Sequence, residues 1–197
     1  MIGKYKDIAG VVLSGGKNSR YGGKQKGLLE VGGKTIIENT ISVLEGIFDE
    51  VFVIANEAEL YRNKINVPVY GDIIKNVGPL GGIHAALSHT TRKSVFIIAA
   101  DMPFPNETLI RTLVSSYQKT DFQIYISETS KGIEPLHSIY NTSILEKLDA
   151  FLQTTGNFSV RSFFPVVNTG FSIVDIELEK SFFNINAPED LDNILKK

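Results

Sequence analysis

The sequence predicts a three-layer α/β fold built on a mainly parallel sheet. Three observations lead there. Short runs that are apolar at every position (8–13, 51–54 and 95–100) recur at wide spacing, and such runs occupy parallel strands covered on both faces. Segments with helical spacing separate them, which is the alternation of a βαβ architecture. Glycine-rich turns and lone polar residues follow the apolar runs, and open α/β sheets bind ligands beyond the carboxyl ends of their strands.

Length and composition bound the reading. A chain of 197 residues suits one domain, 1–197, with a sizeable core. Hydrophobic residues make up 43% and charged residues 21%, the balance of a soluble protein. A net charge of −2 leaves no broad basic field for nucleic acid and no polybasic face for a membrane. Cations gather instead between Lys17 and Lys34, which points to a local anionic ligand. Cysteine is absent. That excludes disulfides, thiolate metal sites and a cysteine nucleophile, and fits a reducing, cytoplasmic setting. The N-terminus reaches its first apolar run too soon to hold a signal sequence. No apolar run approaches the ~20 residues that a spanning helix needs.

The elements follow in order. The first strand is expected over 8–13. After a polar stretch, 28–31 and the Gly32-Gly33 turn lead into a helix over 35–44, with Ile36, Ile37, Ile41, Val43 and Leu44 toward one side. A strand is expected over 50–55, a short helix over 57–64 and a strand over 67–70. A second glycine punctuation, 78–82, opens a helix through Ala85, Ala86 and Leu87. The run 95–100 is again a strand, ended by Asp101, Met102 and Pro103. Asn106 is placed to cap a helix reaching about Tyr117. Residues 122–127 read as a strand, 135–140 as a strand or bend, 142–152 and 159–164 as helices, and 171–174 as a strand. A terminal helix is expected over 188–195, with Pro188 tolerated in its first turn. No repeat, low-complexity tract or linker interrupts the series.

The loop after the first strand carries the strongest chemical signal. Ser14, Gly15, Gly16, Asn18, Ser19, Gly22 and Gly23 are broken only by Lys17, Arg20 and Tyr21, a density of turn formers that neither strand nor helix accepts. Glycine lets backbone N–H groups approach a ligand closely, and successive N–H groups make a concave anion site. Lys17, Arg20, Lys24 and Lys26 add positive charge, and aspartate is absent. Such a loop reads as a triphosphate cradle, although an ordinary β-to-α turn uses glycine as well. It is neither a Walker A loop nor the G-x-G-x-x-G dinucleotide fingerprint.

Other candidates stand at the predicted strand ends. Asp101 follows the most apolar run, where a carboxylate suits Mg²⁺ shared with substrate phosphates; the plainer reading is a helix-start acid. Arg20 can bind phosphate through two bonds and Lys26 offers a point charge; a solvated lysine is the plainer reading. Asn56 and Asp72 could read a base edge, an aspartate accepting two N–H donors as guanine offers them; both residues also form turns. The glycine loop, Asn56, Asp72, the 78–82 turn and Asp101 should meet on one edge of the sheet. His84, His89 and His137 lack metal-ligand spacing and read as structural or solvated. No protein nucleophile is evident, so the attacking group should come from a second substrate, with the protein supplying position and charge neutralisation.

The pattern over 13–28, Leu-Ser-Gly-Gly-x-x-x-Arg-x-Gly-Gly-x-x-Lys-Gly-Leu, resembles the signature loop of nucleotidyltransferases with a Rossmann-like fold, most closely the molybdenum cofactor guanylyltransferases. The resemblance continues along most of the chain, through IAN at 54–56, Asp72, GPLGG at 78–82, ADMPF at 100–104 and the Asn184-x-Asn186-x-Pro-Glu-Asp segment. It implies Mg²⁺-dependent transfer of GMP from GTP to the terminal phosphate of molybdenum-molybdopterin, giving molybdopterin guanine dinucleotide and pyrophosphate. Leu13, Ser14, Gly15, Gly16, Lys26 and Gly78 would then hold the nucleotide, and Asn56 and Asp72 would face guanine. Lys26, Arg20 and Asp101 would be catalytic. Asp101 would hold Mg²⁺ with Asn186, and Asn184 and Asn186 would lie near the pterin substrate. Cofactor-synthesis proteins and target molybdoenzymes are the implied protein partners. Two positions depart from the family: Tyr21 replaces its usual methionine, and Gln25 its usual aspartate, which leaves the loop more positive. The pairs Gly15-Gly16 and Gly81-Gly82 are closer to the GTP-using than to the CTP-using branch. Transfer to a sugar phosphate, use of CTP, or a GTP-binding module without turnover are the alternatives.

Overall fold

Strand β1 (Tyr5–Ser14) is the spine of the molecule: its last seven residues are all buried. It lies between β4 (Phe48–Ala55) and β6 (Ser94–Ala99), parallel to both, with Val12 level with Val53 on one side and Ile98 on the other. A computed structural model of the chain describes residues 3–15, 25–62, 64–187 and 189–190. The expected loop contributions of Gly16 and Arg20 lie outside those residues, as does the expected terminal helix apart from residues 189 and 190, which are helical.

Among the described residues, seven strands form the sheet. With β5 (Val69–Tyr70), β7 (Ile124–Thr129), β8 (Gly132–Asn141) and β9 (Thr169–Ile173), the order is β5-β4-β1-β6-β8-β7-β9. Only β8 opposes its neighbours; the other pairings are parallel. A separate two-stranded ribbon, β2 (Glu30–Val31) and β3 (Lys34–Thr35), precedes the first helix.

Apolar side chains alternate to both faces of the sheet and build two cores. One gathers Ile37, Leu44, Phe48, Phe96, Ile98, Ile110 and Leu113 beneath α1 (Ile36–Ile47) and α4 (Glu107–Tyr117). The other gathers Leu13, Phe52, Ile54, Leu80, Ile97, Leu148 and Phe163 beneath α3 (Pro79–His89), α5 (Leu145–Thr154) and α6 (Val160–Phe163). The result is the expected three-layer α/β arrangement. Local signals set the helix starts. Thr35 and Glu38 form a reciprocal capping box at α1, and the Asn106 side chain accepts from Leu109 N–H at α4. A short helix, α2 (Glu59–Arg62), follows β4. Among the described residues, no helix is long and apolar enough to cross a membrane.

The reversal of β8 was not anticipated. Residues 130 and 131 turn the chain between β7 and β8, and Gly132 holds a φ of 124° that only glycine accepts readily. Pro135, the first residue of the segment read as a strand or bend, sits where the β7–β8 register shifts, with Ser127 opposite Glu134 and Ile126 opposite Ser138. Because β1, β4, β5 and β6 share one direction, their ends at Ser14, Ala55, Tyr70 and Ala99 all open on one edge.

Candidate active site

A cleft of about 820 Å³ runs along that edge, a size suited to a small-molecule ligand. Its floor is made by strand ends and by close backbone packing. Leu13 and Ser14 finish β1, and Ala100 N–H continues the ladder to Leu13 O at 2.9 Å. The turn Lys26–Leu28 is pressed onto this floor: a Cβ added at Gly27 would stand 3.2 Å from Ala100 Cβ and 3.3 Å from Ser14 Oγ. That fit fixes the height of Lys26 over the sheet.

Lys26, Asp101 and Asn186, far apart in sequence, meet here. Lys26 Nζ donates to Asp101 Oδ2 at 3.3 Å and to Asn186 Oδ1 at 3.5 Å. Asp101 is carried by the main chain just beyond β6, and its carbonyl accepts from Ile185 N–H at 2.9 Å, which tethers the Asn186 segment. Asp190 closes that segment by accepting from Asn186 N–H and Ala187 N–H, and these bonds hold its carboxyl below the usual range. Asn184 does not line the cleft. Its side chain bonds Phe182 O and its carbonyl accepts from Asn186 Nδ2, so it supports the segment rather than facing the cavity.

The donor set can be tested against a divalent cation. Asp101 offers one carboxylate and Asn186 one neutral oxygen, both within reach of the same ammonium. Among the described residues, no group of three or more His, Cys, Asp or Glu side chains gathers to hold a metal. A cation here would depend on phosphate oxygens for most of its shell, which is how Mg²⁺ is usually held beside a nucleotide. The residues fit that use.

The other end of the cleft is polar and shaped by the segment after β5. Gly15, Asn56, Asp72 and Gly78 all line it. Asp72 is half-buried; burial raises its carboxyl above the usual range, while a hydrogen bond from Asn56 and the charge of Lys75 oppose the shift. Asn76 has a φ of 65°, a positive value that asparagine tolerates better than most residues, and Gly78 has φ 59° with ψ −148°, a conformation essentially confined to glycine. A Cβ on Gly81 would lie 2.7 Å from Ile74 O, so this segment rests directly on the first turn of α3. Gly78 and Pro79 begin that helix at the cleft wall, where the positive end of the helix dipole favours an anion.

Sequence reasoning missed several wall residues, namely Glu57, Asn76 and Leu136, and it treated Gln25 only as a departure. It also missed Tyr61. That side chain is wholly buried, and its hydroxyl lies 2.6 Å from Ser14 Oγ. Nothing in the sequence marks it, because a tyrosine on a short helix looks like ordinary core. The histidines are structural. His84 Nε2 meets Asp149 Oδ1 at 2.7 Å, His89 stacks on Tyr70, and His137 is buried between Phe96 and Phe182.

A mainly parallel α/β sheet that sets a lysine, a strand-end aspartate and a polar recess along one edge is the framework of a nucleotidyltransferase. Known proteins agree. The chain is 33% identical to a molybdenum cofactor guanylyltransferase of Vibrio parahaemolyticus, covering 92% of this chain and 91% of that one. It is 31% identical to a probable molybdenum cofactor guanylyltransferase of Pelotomaculum thermopropionicum, covering 92% and 89%. The crystal structure of molybdopterin-guanine dinucleotide biosynthesis protein A from Archaeoglobus fulgidus superposes with a TM-score of 0.82 at 27% identity, covering 95% of this chain and 97% of that one. The model of the MobA-like NTP transferase domain matches residues 10–166, and the chain belongs to that family.

Proposed function

We propose that the protein transfers GMP from GTP to the terminal phosphate of molybdenum-molybdopterin, releasing pyrophosphate. The observation that carries this reading is the meeting of Lys26 with Asp101 and Asn186 at the floor of a nucleotide-sized cleft. An acceptor phosphate oxygen forms the new bond to the α-phosphorus while the bond from that phosphorus to the β-phosphate bridging oxygen breaks. The attacking phosphate is already anionic, so no protein base is required. The chain's task is to align the two phosphates and to neutralise charge.

Lys26, with Arg20 from the loop, receives the triphosphate, and Gly15 and Gly16 let the backbone approach it. Leu13 and Ser14 form the floor beneath, and Gly78 the wall. Asp72, held by Asn56, accepts guanine N–H donors. Asp101 and Asn186 would hold Mg²⁺, which would supply charge neutralisation at the phosphates. Asn184 acts on the acceptor side through the Asn186 segment. Names carried by the relatives of Vibrio and Pelotomaculum support the substrate pair. The test is pyrophosphate release from GTP with molybdopterin and Mg²⁺, run beside CTP and beside a sugar phosphate as acceptor. Release only with CTP or the sugar phosphate would move the activity within the fold, and GTP binding without any release would make the protein a binding module.

A further inference from the structure

The buried hydroxyl of Tyr61 lies between the two ends of the glycine loop. Ser14, the last residue of β1, is 2.6 Å from it, and the Gln25 side-chain carbonyl accepts from it at 3.4 Å. Gln25 in turn donates through Nε2 to Glu57 Oε2 at 3.2 Å. These contacts form one directional chain: Ser14 O–H to Tyr61, Tyr61 O–H to Gln25, Gln25 N–H to Glu57. The amide at position 25 both accepts and donates. An aspartate there could accept from Tyr61 but could not donate to Glu57, and it would set two carboxylates side by side. The network therefore gives a physical reason for glutamine at this position.

Its effect reaches the reacting end of the cleft. Gln25 opens the turn that carries Lys26, with Leu28 N–H bonded to Gln25 O at 3.0 Å. Gly27, one residue further, packs against the same Ser14 hydroxyl that Tyr61 touches. We propose that Tyr61 is a positioning residue for the nucleotide site, tying Ser14 to Gln25 so that Lys26 is presented to the triphosphate at a fixed height above β1 and β6. Tyr61 comes from α2, outside the loop and outside the cleft wall, and it acts only through Ser14 and Gln25. The hydroxyl is in a site where its neutral form is favoured, because burial raises its ionisation above the usual range. It therefore remains a donor throughout the neutral range.

This inference rests on the reading of the cleft as a nucleotide site, and the experiment separates the two. GTP binding with Mg²⁺ is measured by calorimetry on the full chain, the Tyr61→Phe variant, the Gln25→Ala variant and the double variant, each with its thermal unfolding. Phenylalanine keeps the buried ring and removes only the hydroxyl. Each single variant should bind GTP about five- to tenfold more weakly, the scale of one buried hydrogen bond. The double variant should be no worse than the weaker single one, because both break the same chain. In turnover, the loss should appear in KM for GTP, with kcat changed less than about threefold. A Tyr61→Phe variant with a lower Tm but unchanged GTP affinity would make the hydroxyl merely structural and overturn the proposal. Additive losses in the double variant would overturn it as well. If the unaltered chain itself fails to bind GTP, the nucleotide-site reading falls first.

Discussion

Changing Asp101 to asparagine keeps the side chain's shape and removes its charge. The carboxylate stands 3.3 Å from Lys26 Nζ. At that distance Coulomb's law gives about 5 kcal/mol for an effective dielectric of about 20 and about 1 kcal/mol in bulk water. The two side chains retain 19% and 27% of their exposure, so water screens the pair. The net stability at stake is then about 1 kcal/mol at most. The main-chain carbonyl of residue 101 keeps its bond to Ile185 N–H whatever the side chain. The fold should therefore survive, with a Tm lowered by no more than about 2–4 °C. Turnover should respond far more strongly. Loss of one electrostatic contact at the reacting phosphate costs ~100-fold or more. Pyrophosphate release at saturating and limiting Mg²⁺, read beside thermal unfolding, checks both halves. Near-normal turnover at limiting Mg²⁺ would refute the argument and return Asp101 to the role of a strand-end residue.

Three further outcomes are expected. Burial holds the Asp72 carboxyl above its usual range, so its charged form costs the folded state stability at neutral pH, a cost relieved as pH falls through the raised value. Asp72→Asn should consequently leave the neutral-pH Tm undiminished while the preference for GTP over ATP in competition binding drops at least ~10-fold. Gly81→Ala drives a methyl to 2.7 Å from Ile74 O; chemical denaturation should show a loss of about 1–3 kcal/mol, with weaker GTP binding as the Asp72 segment is displaced. Burial depresses His137 from 6.5 to about 4, so the unfolded chain takes up that proton first. Stability should fall as pH drops from about 6.5 toward 4, by up to ~1.4 kcal/mol per unit, and His137→Leu should remove that part of the slope in urea titrations; an unchanged slope would assign it elsewhere.

Legibility in the sequence followed the range of the interactions. The strands β1, β4 and β6 were visible because burial on both faces demands apolar residues at every position. The Asn106 cap was visible because a cap is a local bond. The gathering of Gly15, Asn56, Asp72, Gly78 and Asp101 followed from parallel strand direction alone. What escaped was set by tertiary contact. The reversal of β8 hinged on Gly132 in a short polar turn. The Tyr61 network joins residues from three separate segments, and no local signal marks it. Asn184 shares a motif with Asn186, yet two residues of coil turn one toward Lys26 and the other toward its own backbone.

The insertion of β8 has a consequence for how the chain can be assembled or cut. Leu13, Ser14, Lys26, Asn56, Asp72 and Asp101 all precede residue 102, so most of the cleft belongs to the first half of the chain. Yet β6, whose residues are all buried, is closed on its outer side only by β8, which ends at Asn141. A fragment that stops after α4 would carry most of the cleft wall beside an open apolar strand edge, a template for self-association. During synthesis, the β7–β8 hairpin can form as a local unit and then seat against β6. The cleft is thus completed from outside the half that contains it, and splitting this chain after residue 117 should give aggregation rather than a nucleotide-binding minidomain.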